Sequence, residues 1–171
     1  SANSSTYSGI IFGGGKGVGA TATNGANSTV IVDGGRYQGL TIFGGCDING
    51  TIGGKIDVEV GKTKTTKVGT VYGAGRNSVV TNATDSVFVH CYPNANIVND
   101  VYNGGMQAGI NGNNPRAVYI DGAIVSGNVY GGSYESGTLN LSNVYCYNGA
   151  IVAGDVYGAG YGNGANVTGN T

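Results

Sequence analysis

The chain has 171 residues, a formal net charge of −1, and charged side chains at only 10 % of positions, against roughly 25 % in an average soluble domain. That balance excludes the basic footprint a nucleic-acid binder needs, and the lack of any run of 18 apolar residues excludes a membrane-spanning helix. Glycine takes 35 positions, yet Val, Ile and Tyr are interleaved with it periodically and 40 % of residues are hydrophobic, so the chain reads as folded rather than disordered.

Ser1 to Ser5 open the chain without the basic and apolar regions of a signal peptide. The first element is Ile11-Phe12-Gly13-Gly14: an aliphatic residue, an aromatic, then glycines. The phrase returns as Ile42-Phe43-Gly44-Gly45, Val71-Tyr72-Gly73-Ala74-Gly75, Val101-Tyr102-Asn103-Gly104-Gly105, Val129-Tyr130-Gly131-Gly132 and Val156-Tyr157-Gly158-Ala159-Gly160. From aromatic to aromatic the spacings are 31, 29, 30, 28 and 27 residues. A fixed period of this length marks a repeat architecture, in which one unit cannot bury its apolar face alone. The stretch Gly13 to Gly19 has the glycines and lysine of a phosphate loop. It lacks Ser or Thr after Lys16 and any following helical pattern, so it is discarded as a nucleotide site.

The second recurring element is an alternating strand ending in a turn: Val30-Ile31-Val32-Asp33-Gly34, Val58-Glu59-Val60-Gly61, Val87-Phe88-Val89-His90, Val118-Tyr119-Ile120-Asp121-Gly122 and Val144-Tyr145-Cys146-Tyr147. Alternation with period two is the signature of a strand with one buried face. The first and third positions point inward; the middle ones, Ile31, Glu59, Phe88, Tyr119 and Tyr145, point outward. Short pieces such as Gly50-Thr51-Ile52 and Ala123-Ile124-Val125 supply a third strand. The basic stretch Lys62 to Lys67 reads as a solvated loop.

The aromatic phrase is itself a strand. Ile10, Thr41, Thr70, Asp100, Asn128 and Asp155 stand two residues before each aromatic, so they share its outward face while the aliphatic residue turns inward. Glycines after the aromatic permit a tight corner with positive φ and sit where side chains would crowd the stack. No helical periodicity appears. The expected fold is therefore all-β: a single parallel β-solenoid over residues 1–171, about six coils of 27–31 residues, right-handed as parallel crossovers are, and uncapped at both ends. A β-propeller would need blades of ~40–50 residues.

On these repeats the chain resembles the parallel β-helix class, pectin-lyase-like proteins and bacterial surface adhesins with VYGGG-type repeats. Its shortage of Lys, Glu and Arg beside abundant Asn, Thr, Ser, Gly and Tyr also resembles bacterial surface and appendage proteins. The resemblance implies an extracellular or cell-surface location.

The candidate site is the aromatic ladder Phe12, Phe43, Tyr72, Tyr102, Tyr130 and Tyr157. Two readings are open: rings that stack on one another to fix register, or an exposed stripe that binds a sugar chain or a neighbouring molecule. Beside it, Asp100, Asn128 and Asp155 form a polar rail in which the amide separates the two carboxylates, with a calcium site as the alternative. Cys46, Cys91 and Cys146 fall in different columns, so no disulfide, metal site or cofactor is expected. His90 and Cys91 face opposite ways on one strand, and the nine acids are scattered, unlike the gathered carboxylates of pectin-lyase-like enzymes. The expected function is non-enzymatic: an extracellular structural or adhesive solenoid, as a filament subunit or a segment of a longer surface protein. The alternative is a carbohydrate-binding module. Tyr157 lies 14 residues before the last residue and Phe12 is the twelfth, so joining two copies head to tail spaces these rings by 26 residues. End-to-end self-association, or contact with neighbouring repeats of a longer chain, is the expected partnership.

Overall fold

The structure is a computed structural model that describes residues 7–17, 26–48, 50, 52–77, 86–108 and 115–169. Ser1 to Ser5, Val18, Gly19, Thr51 and the head-to-tail junction lie outside the described residues. Within them are sixteen strands and no helix: β1 (Ile10–Phe12), β2 (Ser28–Val32), β3 (Gly35–Phe43), β4 (Ile56–Val60), β5 (Thr66–Tyr72), β6 (Val87–Cys91), β7 (Ala95–Ile97), β8 (Val101–Tyr102), β9 (Arg116–Asp121), β10 (Ile124–Val125), β11 (Val129–Tyr130), β12 (Tyr134–Leu139), β13 (Asn143–Tyr147), β14 (Ile151–Val152), β15 (Val156–Tyr157) and β16 (Tyr161–Val167). Every ladder between them is parallel. The chain is a parallel β-solenoid of about five turns, because the six aromatic strands bracket five intervals.

Each turn has three walls. The alternating wall stacks β2, β4, β6, β9 and β13. A second wall stacks the starts of β3 and β5 with β7, β10 and β14. The aromatic wall stacks β1, the ends of β3 and β5, β8, β11 and β15. In the last two turns, β12 and β16 add a fourth pairing after the glycines. The walls enclose one apolar core in which aliphatic residues lie in columns one coil apart. Ile42, Val71, Val101 and Val129 come from the aromatic wall, and Val58, Val89 and Val118 from the alternating wall.

The alternating wall departs from the expected register at one strand. Val89, not Val87, stands beside Val58 and Val118, so β6 is shifted by two residues. A two-residue slip preserves which face is buried, since side chains alternate with period two. Its effect is to place His90, not Phe88, in the outward column with Glu59, Tyr119 and Tyr145, and to bring Cys91 into the inward column with Ile120 and Cys146. Cys91 therefore shares a column with Cys146, two coils apart, where separate columns were expected, and no disulfide joins the three cysteines.

The glycines also differ from expectation. Among the described residues, the glycines with positive φ include Gly34, Gly61, Gly122 and Gly149, which turn the chain after an alternating strand; Asn148 and Glu135 share that conformation. The glycine directly after a ladder aromatic has no such φ; it is required for space. A Cβ on Gly44 would overlap the carbonyl oxygen of Gly73, and a Cβ on Gly73 that of Asn103. In the fourth phrase Asn103 replaces this glycine. Oriented to satisfy both neighbours, its buried amide donates to Val87 O (3.2 Å) and accepts from Ala117 N–H (3.1 Å).

The stretch Lys62 to Lys67 is only partly a loop. Thr66 and Lys67 begin β5, and Thr66 is buried. The turn before them is held by Asp33 one coil below, whose carboxylate accepts from the backbone N–H of Thr63 (2.8 Å) and Lys64 (2.9 Å). The Thr63 hydroxyl, which donates to the other carboxylate oxygen, and these two bonds hold the Asp33 carboxyl below its ordinary pKa.

Candidate functional site

The aromatic residues occupy one register position of the aromatic wall, because Phe12, Phe43, Tyr72, Tyr102, Tyr130 and Tyr157 pair in sequence with one another. Strand spacing near 4.8 Å is also a good spacing for parallel rings. Successive ring centroids are 5.1, 4.6, 4.9, 4.7 and 5.0 Å apart, with planes within 10° of parallel. The rings lie on the far side of the wall from the main core, as the alternation requires. Phe43, Tyr72, Tyr102 and Tyr130 are nonetheless buried, and form a second apolar cluster. Phe12 is half-buried and Tyr157 is exposed, one at each end of the stack.

The cover over the ladder comes from the segments following the glycines. Tyr134 meets Tyr102 edge to face at 5.5 Å, and Tyr161 meets Tyr130 in the same way at 6.0 Å. Tyr134 and Tyr161 themselves stack at 5.3 Å, one coil apart. Met106 packs on the same cluster, and the Arg76 guanidinium, paired with the buried Asp47 carboxylate, lies 5.5 Å from the Phe12 centroid. Tyr134 and Tyr161 follow the glycines of the fifth and sixth phrases, outside the repeated motif itself. In the fold they roof the ladder.

The polar rail is a hydrogen-bonded ladder of its own. Asp100 Oδ1 accepts from the backbone N–H of Asn128 (2.7 Å), and Asn128 Oδ1 accepts from the backbone N–H of Asp155 (2.8 Å). Each side chain thus binds the coil above. One oxygen of each carboxylate takes a ring hydroxyl, with Tyr102 Oη donating to Asp100 Oδ2 and Tyr157 Oη to Asp155 Oδ2, both at 3.0 Å. Asn128 separates the two charges, and Asp100 has both oxygens engaged by protein donors. Burial raises the Tyr102 hydroxyl well above its ordinary pKa, and the Asp100 charge raises it further; burial does the same to Tyr72.

A second aromatic column runs up the outside of the alternating wall. His90 stacks on Tyr119 at 4.6 Å and 9°, and Tyr119 on Tyr145 at 5.1 Å and 12°. Tyr92 flanks His90 at 5.8 Å. Below them Lys55 pairs with Asp57 (2.7 Å) and lies 5.2 Å from the Phe88 centroid, while Lys62 pairs with Glu59 (2.9 Å) and lies 5.5 Å from that of Tyr92. This column depends on the two-residue shift of β6, which placed His90 where the sequence pattern had put Phe88.

Chemically, both ladders use ring faces on each other. A sugar that stacks on an aromatic needs a free face, and the inner rings Phe43, Tyr72, Tyr102 and Tyr130 each have a ring neighbour on both sides. The two buried thiols behave as small hydrophobes: burial raises both, Cys91 to about 12. Cys146 is exposed although it belongs to an inward column, because it sits in the last turn.

No family model, no curated protein and no solved structure matches this chain. What the geometry defines is a class, the parallel β-solenoid with an internal aromatic ladder.

Proposed function

We propose that the chain is a non-enzymatic structural or adhesive solenoid, a rod segment of an extracellular or cell-surface fibre of the VYGGG-repeat adhesin kind. The observation that carries this reading is the use of the ladder. Six aromatic side chains and a rail of side-chain-to-backbone bonds are directed along the rod axis from coil to coil. An aromatic pair contributes about 0.5–1.5 kcal/mol beyond its area burial. The composition supports an extracellular setting: few charges and abundant Asn, Ser, Thr and Gly.

The test is a glycan array with the wild-type chain, Tyr102→Ala and Tyr130→Ala, each checked for folding by circular dichroism. The reading expects no specific sugar binding and a loss of stability in both variants. Specific binding that either substitution abolishes without unfolding the chain would replace it with a carbohydrate-binding module.

A further inference from the structure

The two ends of the solenoid are complementary in a way the walls are not. Val129 is fully buried, but Val156, the same column one coil on, is 49 % exposed. Cys146 and Tyr157 are likewise exposed, and Val144 and Val152 half-buried, where their counterparts one coil below, Ile120, Tyr130, Val118 and Val125, are buried. At the other end the first turn opens into a hollow of about 430 Å³ of mixed lining, with Tyr7, Ile11, Val32, Tyr37 and Leu40 beside the Asp33 carboxylate. One end presents the apolar columns as a raised edge, and the other receives them as a depression.

The hydrogen-bond pattern is equally directional. The aliphatic residue of each phrase donates its N–H to the coil above: Val71 to Asp100 O (3.1 Å), Val101 to Asn128 O (3.0 Å), Val129 to Asp155 O (2.9 Å). Val156 is the next donor in that series, and no described coil lies above it. In β1 the opposite set has no partner among the described residues. Ile11 pairs upward with Ile42 of β3, so the N–H and C=O of Ile10 and Phe12 face away from it, as alternation along a parallel strand dictates. An unpaired strand edge of this kind is a template for a further strand.

We propose that the last turn of one copy stacks under the first turn of a second copy, β15 against β1 in parallel, with Phe12 of the second copy continuing the ring column above Tyr157. This inference rests on the structural-rod reading and names its partner: another copy of this chain, joined end to end through unlike surfaces. An interface of that type does not close on itself and propagates into a filament. In this register Val156 N–H is directed at Ile10 O of the second copy, and Phe12 N–H of that copy at Val156 O. The apolar edge around Val156 and Val152 fills the hollow beside Ile11.

The test uses sedimentation velocity on the chain across a hundredfold concentration range, with two variants that block one end each. Val156→Lys puts a charge over the C-terminal mouth. Phe12→Glu breaks the ring contact and sets a charge against Asp155; Ile11→Lys serves instead if Phe12→Glu does not fold by circular dichroism. The expected result is wild-type mass rising with concentration past the dimer, each variant alone monomeric, and the two variants mixed stopping at a dimer. A wild-type chain that stays monomeric, a wild-type series that stops at a closed dimer, or a mixture that does not pair would each overturn the inference. The rod reading fails separately, by the glycan-array result, and a monomeric wild type destabilised by Tyr102→Ala would leave that reading standing.

Discussion

His90 and Tyr119, from adjacent coils, stack face to face with centroids 4.6 Å apart and planes 9° from parallel. The pair exists because β6 sits two residues from where its valines alone would place it. It also sets the titration of the histidine. Burial lowers the His90 pKa; Asp57, whose Oδ1 is 3.6 Å from Nε2, and Glu59 oppose that shift, and Lys55 and Lys62 add to it.

The depressed value fixes a sign. The unfolded chain binds the proton more readily than the folded one, so the neutral imidazole contributes stability above its unfolded value near ~6.5. That contribution is lost as pH falls through the folded value. The melting temperature of the wild type should fall by a few degrees between pH 7 and pH 5, and His90→Phe should flatten the dependence. Scanning calorimetry at three pH values checks this; equal slopes in both proteins would show that His90 does not carry it.

The hydroxyl rail predicts a ranked series. Tyr102→Phe removes only the donor to Asp100 Oδ2 and should cost about 1–2 kcal/mol. Asp100→Asn keeps an acceptor for the Asn128 N–H and should cost a similar amount. Asp100→Ala strips both bonds and should cost more than either. Urea denaturation gives the order, and an Asp100→Ala no worse than Tyr102→Phe would mean the coil-to-coil bond is not felt.

Two glycines separate space from backbone conformation. Gly73→Ala drives a Cβ into the Asn103 carbonyl, an atom of the next coil that cannot move alone, so the variant should lose more than about 4 kcal/mol or fail to fold. Gly149 has φ of +77° but nothing within 4 Å of an added Cβ, so Gly149→Ala should cost only about 1 kcal/mol. Thermal melts of the two variants test this; equal losses would contradict it.

Thiol labelling reports the turns directly. Burial raises the pKa of all three thiols, but Cys46 and Cys91 are enclosed whereas Cys146 is exposed in the last turn. One thiol per native chain should react rapidly with a disulfide reagent, and the other two only on unfolding. Cys146→Ser should remove the fast phase; fast labelling at Cys91 would place the register of β6 in doubt.

Much of this fold is readable from spacing. The 27–31-residue period and the alternating valines are enough for a parallel solenoid, and they place the six rings in one column. The register of β6 was not readable, because Val87 and Val89 are equally good inward residues and the pattern repeats every two. The roof of Tyr134 and Tyr161 was hidden for another reason. It lies in segments whose length and composition vary between phrases, where no period constrains the eye, and among the described residues only β12 and β16 form a strand pair there, with a register shift after Tyr134. The six phrases correctly counted the rings but exceeded the turns by one, since a stack of six rings encloses five intervals.

The central claim is that the rings fasten coil to coil. A double-mutant cycle on Tyr102 and Tyr130, whose centroids are 4.7 Å apart and planes 2° from parallel, measures it most directly. Each alanine substitution should cost about 3–5 kcal/mol in equilibrium unfolding, and the pair should show a favourable coupling of about 0.5–1.5 kcal/mol. Small single losses with no coupling would contradict the account.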